Sequence, residues 1–314
     1  MSGALRRGAD PRDRLSGVLM MLLGMATLSS MDATVKWLVM QGLPVMELMA
    51  LRGWLIVALI LLLTLPRGRL HELATRRLSQ HLLRGMIGFA APLCFFTAVK
   101  TLPLADVTAI FFCAAFFMTA GAALFLHEPV GPARWLAVAC GFAGVVLIIR
   151  PDSSGWRIDA LLPVAGAAAY AVLMLWGRAL SGSETTRAML FWINLAFAVL
   201  ATAGMLTEPF IRPDLTQTAV IALSAVLGLG GFYFVTRAFT LAPLPVIAPL
   251  EYTSLIWALI LGYFLWGDWP APVAWLGIAI VVGSGLIIVY REHRARRHAR
   301  AAQAAENHVA AGPH

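Results

Sequence analysis

Apolar residues run along the chain in long blocks, broken by short clusters of Pro, Gly and Arg. The blocks fall at approximately 15–39, 45–65, 83–100, 105–126, 131–149, 159–178, 187–206, 216–238, 244–266 and 271–290. A helix rising about 1.5 Å per residue needs about 20 apolar residues to cross a hydrocarbon core about 30 Å thick. The pattern therefore predicts an all-α membrane protein with ten transmembrane helices. The first block is too long for a signal-peptide core and lacks a convincing cleavage site, so it reads as an uncleaved first helix.

Composition agrees with the pattern. Of 314 residues, 60% are hydrophobic and 13% charged, against about 25% charged in a typical soluble domain. A soluble globular enzyme is excluded. The three cysteines, Cys94, Cys113 and Cys140, lie inside apolar blocks without a Cys-x-x-Cys pair, so they predict no disulfide framework, metal site or cofactor.

The 24 basic residues outnumber the 16 acidic ones, and 22 of the 24 are Arg. They cluster between blocks, where an excess of positive charge marks the cytoplasmic side and not a nucleic-acid surface. Threading ten spans with the N-terminus inside puts 18 of the 24 on the cytoplasmic side and predicts that both termini face the cytoplasm. The Arg-rich, Lys-poor usage fits a bacterium of high GC content, hence a bacterial inner membrane. Between blocks two and three, PRGRLHELATRRLSQHLL at 66–83 has leucines at roughly helical spacing among arginines. It reads either as a helix lying on anionic lipid or as a solvated basic loop. The tail loses its periodicity and predicts disorder beyond about Ala305.

Residues 98–149 align without a gap to 238–289 at a constant offset of 140. Ala98 meets Ala238, Pro103 meets Pro243, Glu128 meets Asp268, Pro132 meets Pro272, and Trp135-Leu136 meets Trp275-Leu276. Chance matches between apolar helices yield scattered Leu and Ala, not Pro, Trp and acidic residues in one register. Each repeat holds five helices, an odd number, so the second enters the membrane from the opposite side. Inverted repeats around a midplane site are a common construction for secondary transporters. The chain divides into a basic N-terminus (1–14), a first repeat (15–149), a linker (150–158), a second repeat (159–290) and a basic tail (291–314).

The stretch FFMTAGAALFLHEPVGPARWLAVACGFAGVVLIIRP resembles the fourth and fifth helices of the EamA-type drug/metabolite transporters, with Glu128 at the acidic position that ends the fourth helix. EYTSLIWALILGYFLWGDWPAPVAWLGIAIVVGSGLIIV resembles the matching part of the second repeat. The resemblance extends over approximately 15–290, and within the superfamily it is to the YddG-like amino-acid exporter branch. It implies a ten-helix bundle with a central cavity, commonly serving export of metabolites, amino acids or drugs. Asp268, where the family usually has Glu, and the Asp32/Lys36 pair depart from the family pattern.

Ionisable groups inside hydrocarbon are costly and usually face a cavity or a partner. Asp32, Arg52 and Glu251, with Lys36 nearer an edge, are the candidates. Asp32 and Arg52 sit at similar depth and suit a substrate with two opposite charges; alternatively Asp32 pairs with Lys36 while Arg52 snorkels outward. Glu251 follows Pro243, Pro245 and Pro249, and its counterpart at offset 140 is Phe111, so the repeat itself does not require the charge. It is the candidate for proton coupling, the alternative being a pair with Arg237. Phe95, Phe112, Trp192, Tyr233 and Tyr252, with Phe96, Phe111, Phe234 and Trp257, supply aromatic walls. Glycines 85, 88, 228, 230 and 231 suit close helix approach.

No His-Glu-x-x-His pattern occurs, and Gly283-Ser284-Gly285 follows Val282, which breaks the Gly-x-Ser-Gly spacing. An intramembrane enzyme is thereby disfavoured. A channel would show a ring of charge or a carbonyl filter motif. With one deep cation, a phosphate ester is poorly matched, and a neutral or zwitterionic substrate fits better. The expected function is export of small metabolites, chiefly apolar or aromatic amino acids, with cationic drug export or metabolite uptake as alternatives. The expected partners are substrate, lipid and a coupling proton, with no nucleic acid and at most weak oligomerisation.

Overall fold

The computed structural model describes residues 11–68, 70–125, 130–150, 158–180, 184–207 and 209–310. The described residues form α1 (Pro11–Met40), α2 (Val45–Thr64), α3 (Leu78–Ala98), α4 (Leu104–Phe111), α5 (Ala114–Phe125), α6 (Pro132–Ile149), α7 (Ile158–Leu180), α8 (Thr186–Met205), α9 (Leu215–Leu241), α10 (Leu244–Ile247), α11 (Thr253–Trp266) and α12 (Pro272–Ala310). Among the described residues, ten segments are long and apolar enough to cross a bilayer. The fourth span, Leu104–Phe125, joins α4 to α5, and the ninth, Ala248–Trp266, joins a 3-10 turn at Ala248–Tyr252 to α11. Glu128 and Arg157 lie outside the described residues.

Local chemistry sets the helix ends. Pro44 and Pro103 precede α2 and α4 in extended conformation, and Pro132 opens α6 where its missing N–H costs nothing. Asp214 accepts from the Gln217 N–H in a capping box at the start of α9. Gly267, at φ 69°, closes α11 in the left-handed region.

Packing shows the inverted repeat directly. The first span packs on the eighth and ninth, and the sixth on the third and fourth; the second pairs with the seventh and the fifth with the tenth. Exchanging the two halves maps this pattern onto itself. Two mixed three-span bundles result, one from spans one, eight and nine, the other from spans three, four and six. Small residues allow the close approaches. A Cβ on Gly277 would come within 2.6 Å of the Gly144 carbonyl, and one on Gly88 within 2.6 Å of Leu173, whereas Gly230 faces open space.

Contacts between connections define two ends. At the terminal end, where ten crossings return both termini, the 70–75 segment is held to the start of α8: Thr75 donates to Glu184 (2.9 Å), Thr185 to the Glu72 carbonyl (2.6 Å), and Glu72 pairs with Arg187. At the distal end, Ile211 donates to Glu47 across the second-to-seventh span pair (3.0 Å). The 66–83 stretch is thus neither a continuous surface helix nor a free loop. Leu73 is buried, and the third span already begins at Leu78. The last helix runs through Ala310, past the expected loss of structure near Ala305.

Burial is uneven along the bundle. Val35, Leu38, Val39, Leu43, Leu48, Val99, Leu102, Leu104 and Val107 pack tightly in the distal half. The terminal half holds a smaller cluster around Met21, Met25, Ala238 and Ile247. Outward-facing Leu62, Phe125, Phe264 and Leu276 supply a lipid-compatible belt.

Candidate functional site

Both broken spans break at the same repeat register. Phe112 and Cys113 interrupt the fourth, and the 3-10 turn ending at Tyr252 interrupts the ninth, 140 residues on. Phe112 and Tyr252, equivalent by the repeat, pack ring against ring at a tilt of 44°, with centroids 4.7 Å apart. Each lies eight residues into its helical segment, counted from Leu104 and Leu244. Opposed segments entering from opposite ends meet there, so this contact marks mid-depth. Breaks of this kind are tolerated inside a bundle where backbone is shielded from lipid.

A line of rings leads away from this point. Phe111 packs on Tyr170 (5.6 Å) and Phe95 (5.3 Å), and Phe95 is edge-on to Phe96 (6.1 Å). The Arg52 guanidinium lies 5.6 Å from the Phe96 ring centroid. Gly228 leaves room for it: a Cβ there would come within 2.7 Å of Arg52 Nη2.

Arg52 is poorly satisfied for a cation at this depth. Its Nη2 donates to the Met31 thioether sulfur at 2.7 Å, and its Nε is buried without a hydrogen-bond partner. A thioether is a weak acceptor. Asp32, one residue after Met31, interacts electrostatically with Arg52, yet among the described residues no ion pair closes within 4 Å between them. The half-buried Asp32 carboxylate and the underused guanidinium leave a gap between opposite charges.

Glu251 lies at the other end of the ring line, interacting electrostatically with Tyr170 and Tyr252. Its side chain keeps exposed surface within the span. Among the described residues it forms no ion pair, so the alternative partner Arg237 is not used. Lys36 likewise turns away from Asp32 and bonds to Asp268 at the distal end (2.5 Å).

The structure therefore brings Asp32, Arg52, Phe95, Phe112, Glu251 and Tyr252 into one connected set. Trp192 lies apart near the terminal end, where its Nε1 donates to the Leu73 carbonyl (2.9 Å). Tyr233 is 60% exposed and packs edge-on to Phe234 (5.8 Å). Sequence reasoning omitted Tyr170 and Met31. Tyr170 is the lone aromatic in the small-residue run GAAAYAV, a visible signal; Met31 has none beyond adjacency to Asp32. The assembled set offers an anion-accepting guanidinium, carboxylates for a cation, and ring faces for a flat or apolar body.

The family model for the EamA-like transporter family matches residues 15–150 and 157–290. A riboflavin transporter of Rhizobium johnstonii is 28% identical over 92% of this chain and 95% of its own. An S-adenosylmethionine uptake transporter of Rickettsia conorii is 25% identical over 90% and 96%. A pseudopaline exporter of Pseudomonas aeruginosa is 28% identical over 87% and 93%. One crystallised protein, 20% identical, superposes with a TM-score of 0.58 over 88% of this chain and 97% of that one, a likeness of fold.

Proposed function

The chain belongs to the EamA-like transporter family, and from that premise we propose that it is a secondary carrier exporting small neutral or zwitterionic metabolites, amino acids with apolar or aromatic side chains foremost. It is a multi-pass bacterial membrane protein of a family whose named relatives are transporters, not enzymes. One observation carries the substrate reading. Arg52 has only a thioether on Nη2 and nothing on Nε, beside the open carboxylate of Asp32 and the Phe96 ring. A carboxylate accepting from Arg52 and an ammonium donating to Asp32 satisfy both, while the ring line takes the side chain.

Reconstituted protein should show saturable counterflow of phenylalanine or tryptophan in liposomes, the unlabelled amino acid inside accelerating labelled uptake. Flux without such trans-stimulation sinks the carrier reading in favour of a channel; counterflow of other solutes but no amino acid sinks the amino-acid assignment alone. Uptake of a flat heteroaromatic solute is the second reading, favoured by the names of the riboflavin and S-adenosylmethionine relatives and by the length of the ring line. The same assay with riboflavin separates the two.

We further assign the terminal end to the cytoplasm, on the Arg-rich connections, and the distal end to the periplasm. Cysteines placed at Gly42 and Pro213 should react with an impermeant maleimide added to intact spheroplasts, and those at Arg76 and Ala301 only after lysis. The reverse pattern would invert the topology and the transport direction with it.

A further inference from the structure

The distal end holds a buried cation that the substrate reading does not use. Lys36 is 3% exposed, and its Nζ donates to Asp268 Oδ2 (2.5 Å) and to the Leu102 carbonyl (3.1 Å) while lying 4.8 Å from the centre of the Trp266 ring. Asp106, also buried, interacts electrostatically with Lys36 and Asp268. Its Oδ2 is 3.8 Å from Arg150 Nη2, and its Oδ1 has no hydrogen-bond partner. Arg150, closing α6, is the only non-glycine at positive φ among the described residues (φ 48°).

These partners come from different bodies. Lys36, Trp266 and Asp268 belong to the bundle of spans one, eight and nine. Leu102 and Asp106 belong to the bundle of spans three, four and six, and Arg150 ends span five. A lysine withdrawn from water is costly unless its donors are paired and its charge balanced. Of the groups around its Nζ, Asp268 and the Trp266 ring travel with Lys36. The Leu102 carbonyl and the field of Asp106 complete the compensation only while the two bundles touch at the distal end, where the tight core also lies.

We propose that Lys36, with Asp268 on its own bundle and Leu102 and Asp106 on the other, is an ionic latch that holds the distal gate shut. Its release is a required step of outward opening, and substrate bound at mid-depth must offset its loss. The inference rests on the carrier reading for its place in a cycle, but the closed gate itself is tested separately.

Ala105, 3% exposed beside Asp106, serves as reporter. In a background with Cys94, Cys113 and Cys140 replaced by Ala, Ala105→Cys is titrated with an impermeant maleimide from the distal side. The intact latch should give slow labelling. Asp268→Asn and Lys36→Met should each accelerate it about tenfold or more, since removing either partner leaves the other charge uncompensated. Asp268→Glu, which keeps the charge, should return the rate to within about threefold of the intact protein. Equal rates for all four proteins overturn the latch, and so does acceleration by Asp268→Glu equal to that by Asp268→Asn, which marks a purely steric contact. Size-exclusion profiles in detergent identify any variant that fails to fold, and Asp268→Glu then supplies the comparison with Lys36→Met. Faster labelling without counterflow in the parent protein upholds the latch and removes the carrier reading; counterflow with unmoved labelling does the opposite.

Discussion

Arg52→Gln lowers the apparent affinity for the amino-acid substrate by about 10- to 150-fold, read as a rise in the concentration for half-maximal counterflow. The range follows from the about 1.5–3 kcal/mol that a hydrogen bond to a charged group contributes. In the resting protein Arg52 donates to a methionine sulfur and leaves Nε unbonded, so the guanidinium has little to lose when a carboxylate arrives. Asp32→Asn should weaken the ammonium contact to a similar extent. Each single change also leaves one charge in the bundle without its opposite, so membrane abundance must be measured alongside transport. In the double variant Asp32→Asn/Arg52→Gln the isolated charge is gone. Abundance should recover while affinity stays low. Should the double variant regain affinity as well, the two charges serve folding and not the substrate.

Met31 sharpens the same test. Met31→Leu removes the sulfur acceptor but keeps apolar volume, which costs little in a core. If the thioether only occupies Arg52 between substrates, its loss leaves affinity unchanged or improves it. A fall as large as that of Arg52→Gln would make Met31 part of the binding contact.

The ten spans, their rough limits and the five-plus-five duplication were legible in sequence, because lipid imposes long apolar blocks and the Pro, Trp and acidic matches kept one register over fifty residues. Phe112 and Tyr252 could be named, but their mutual contact could not: it follows from the two-fold relation between repeats, which the offset implies only once the halves are packed. Helix rotation was the missing quantity elsewhere. Tyr233 and Phe95 look alike in sequence, yet one is 60% exposed and the other 8%. Trp192 lies apart from the connected set for another reason: an indole N–H near a helix end is readily claimed by a loop carbonyl, here that of Leu73. Lys36 was legible as a charge at the edge of a span, and its natural partner by spacing was Asp32. The actual partner, Asp268, is 232 residues away, beyond the reach of any periodicity.

Glu251→Gln abolishes accumulation driven by a proton gradient and leaves exchange between preloaded vesicles within about twofold of the parent. The expectation starts from the asymmetry of the repeat. At the register where the first half has Phe111, packed between Phe95 and Tyr170, the second half has a carboxylate with no ion-pair partner among the described residues. A scaffold duplicated for folding needs no charge there, and an ionised carboxylate among rings is costly when the bundles close around it. A proton on Glu251 removes that cost during closure, so a cycle that carries net solute movement also carries the proton. Gln is fixed in the neutral form: closure with substrate bound proceeds, which is all that exchange requires, but nothing couples it to the gradient. Glu251→Asp keeps a titratable group and should retain gradient-driven accumulation at reduced rate. Full accumulation by Glu251→Gln would remove the proton from this residue, and loss of exchange together with accumulation would make Glu251 a substrate contact, the ammonium site moving from Asp32 to the far end of the ring line.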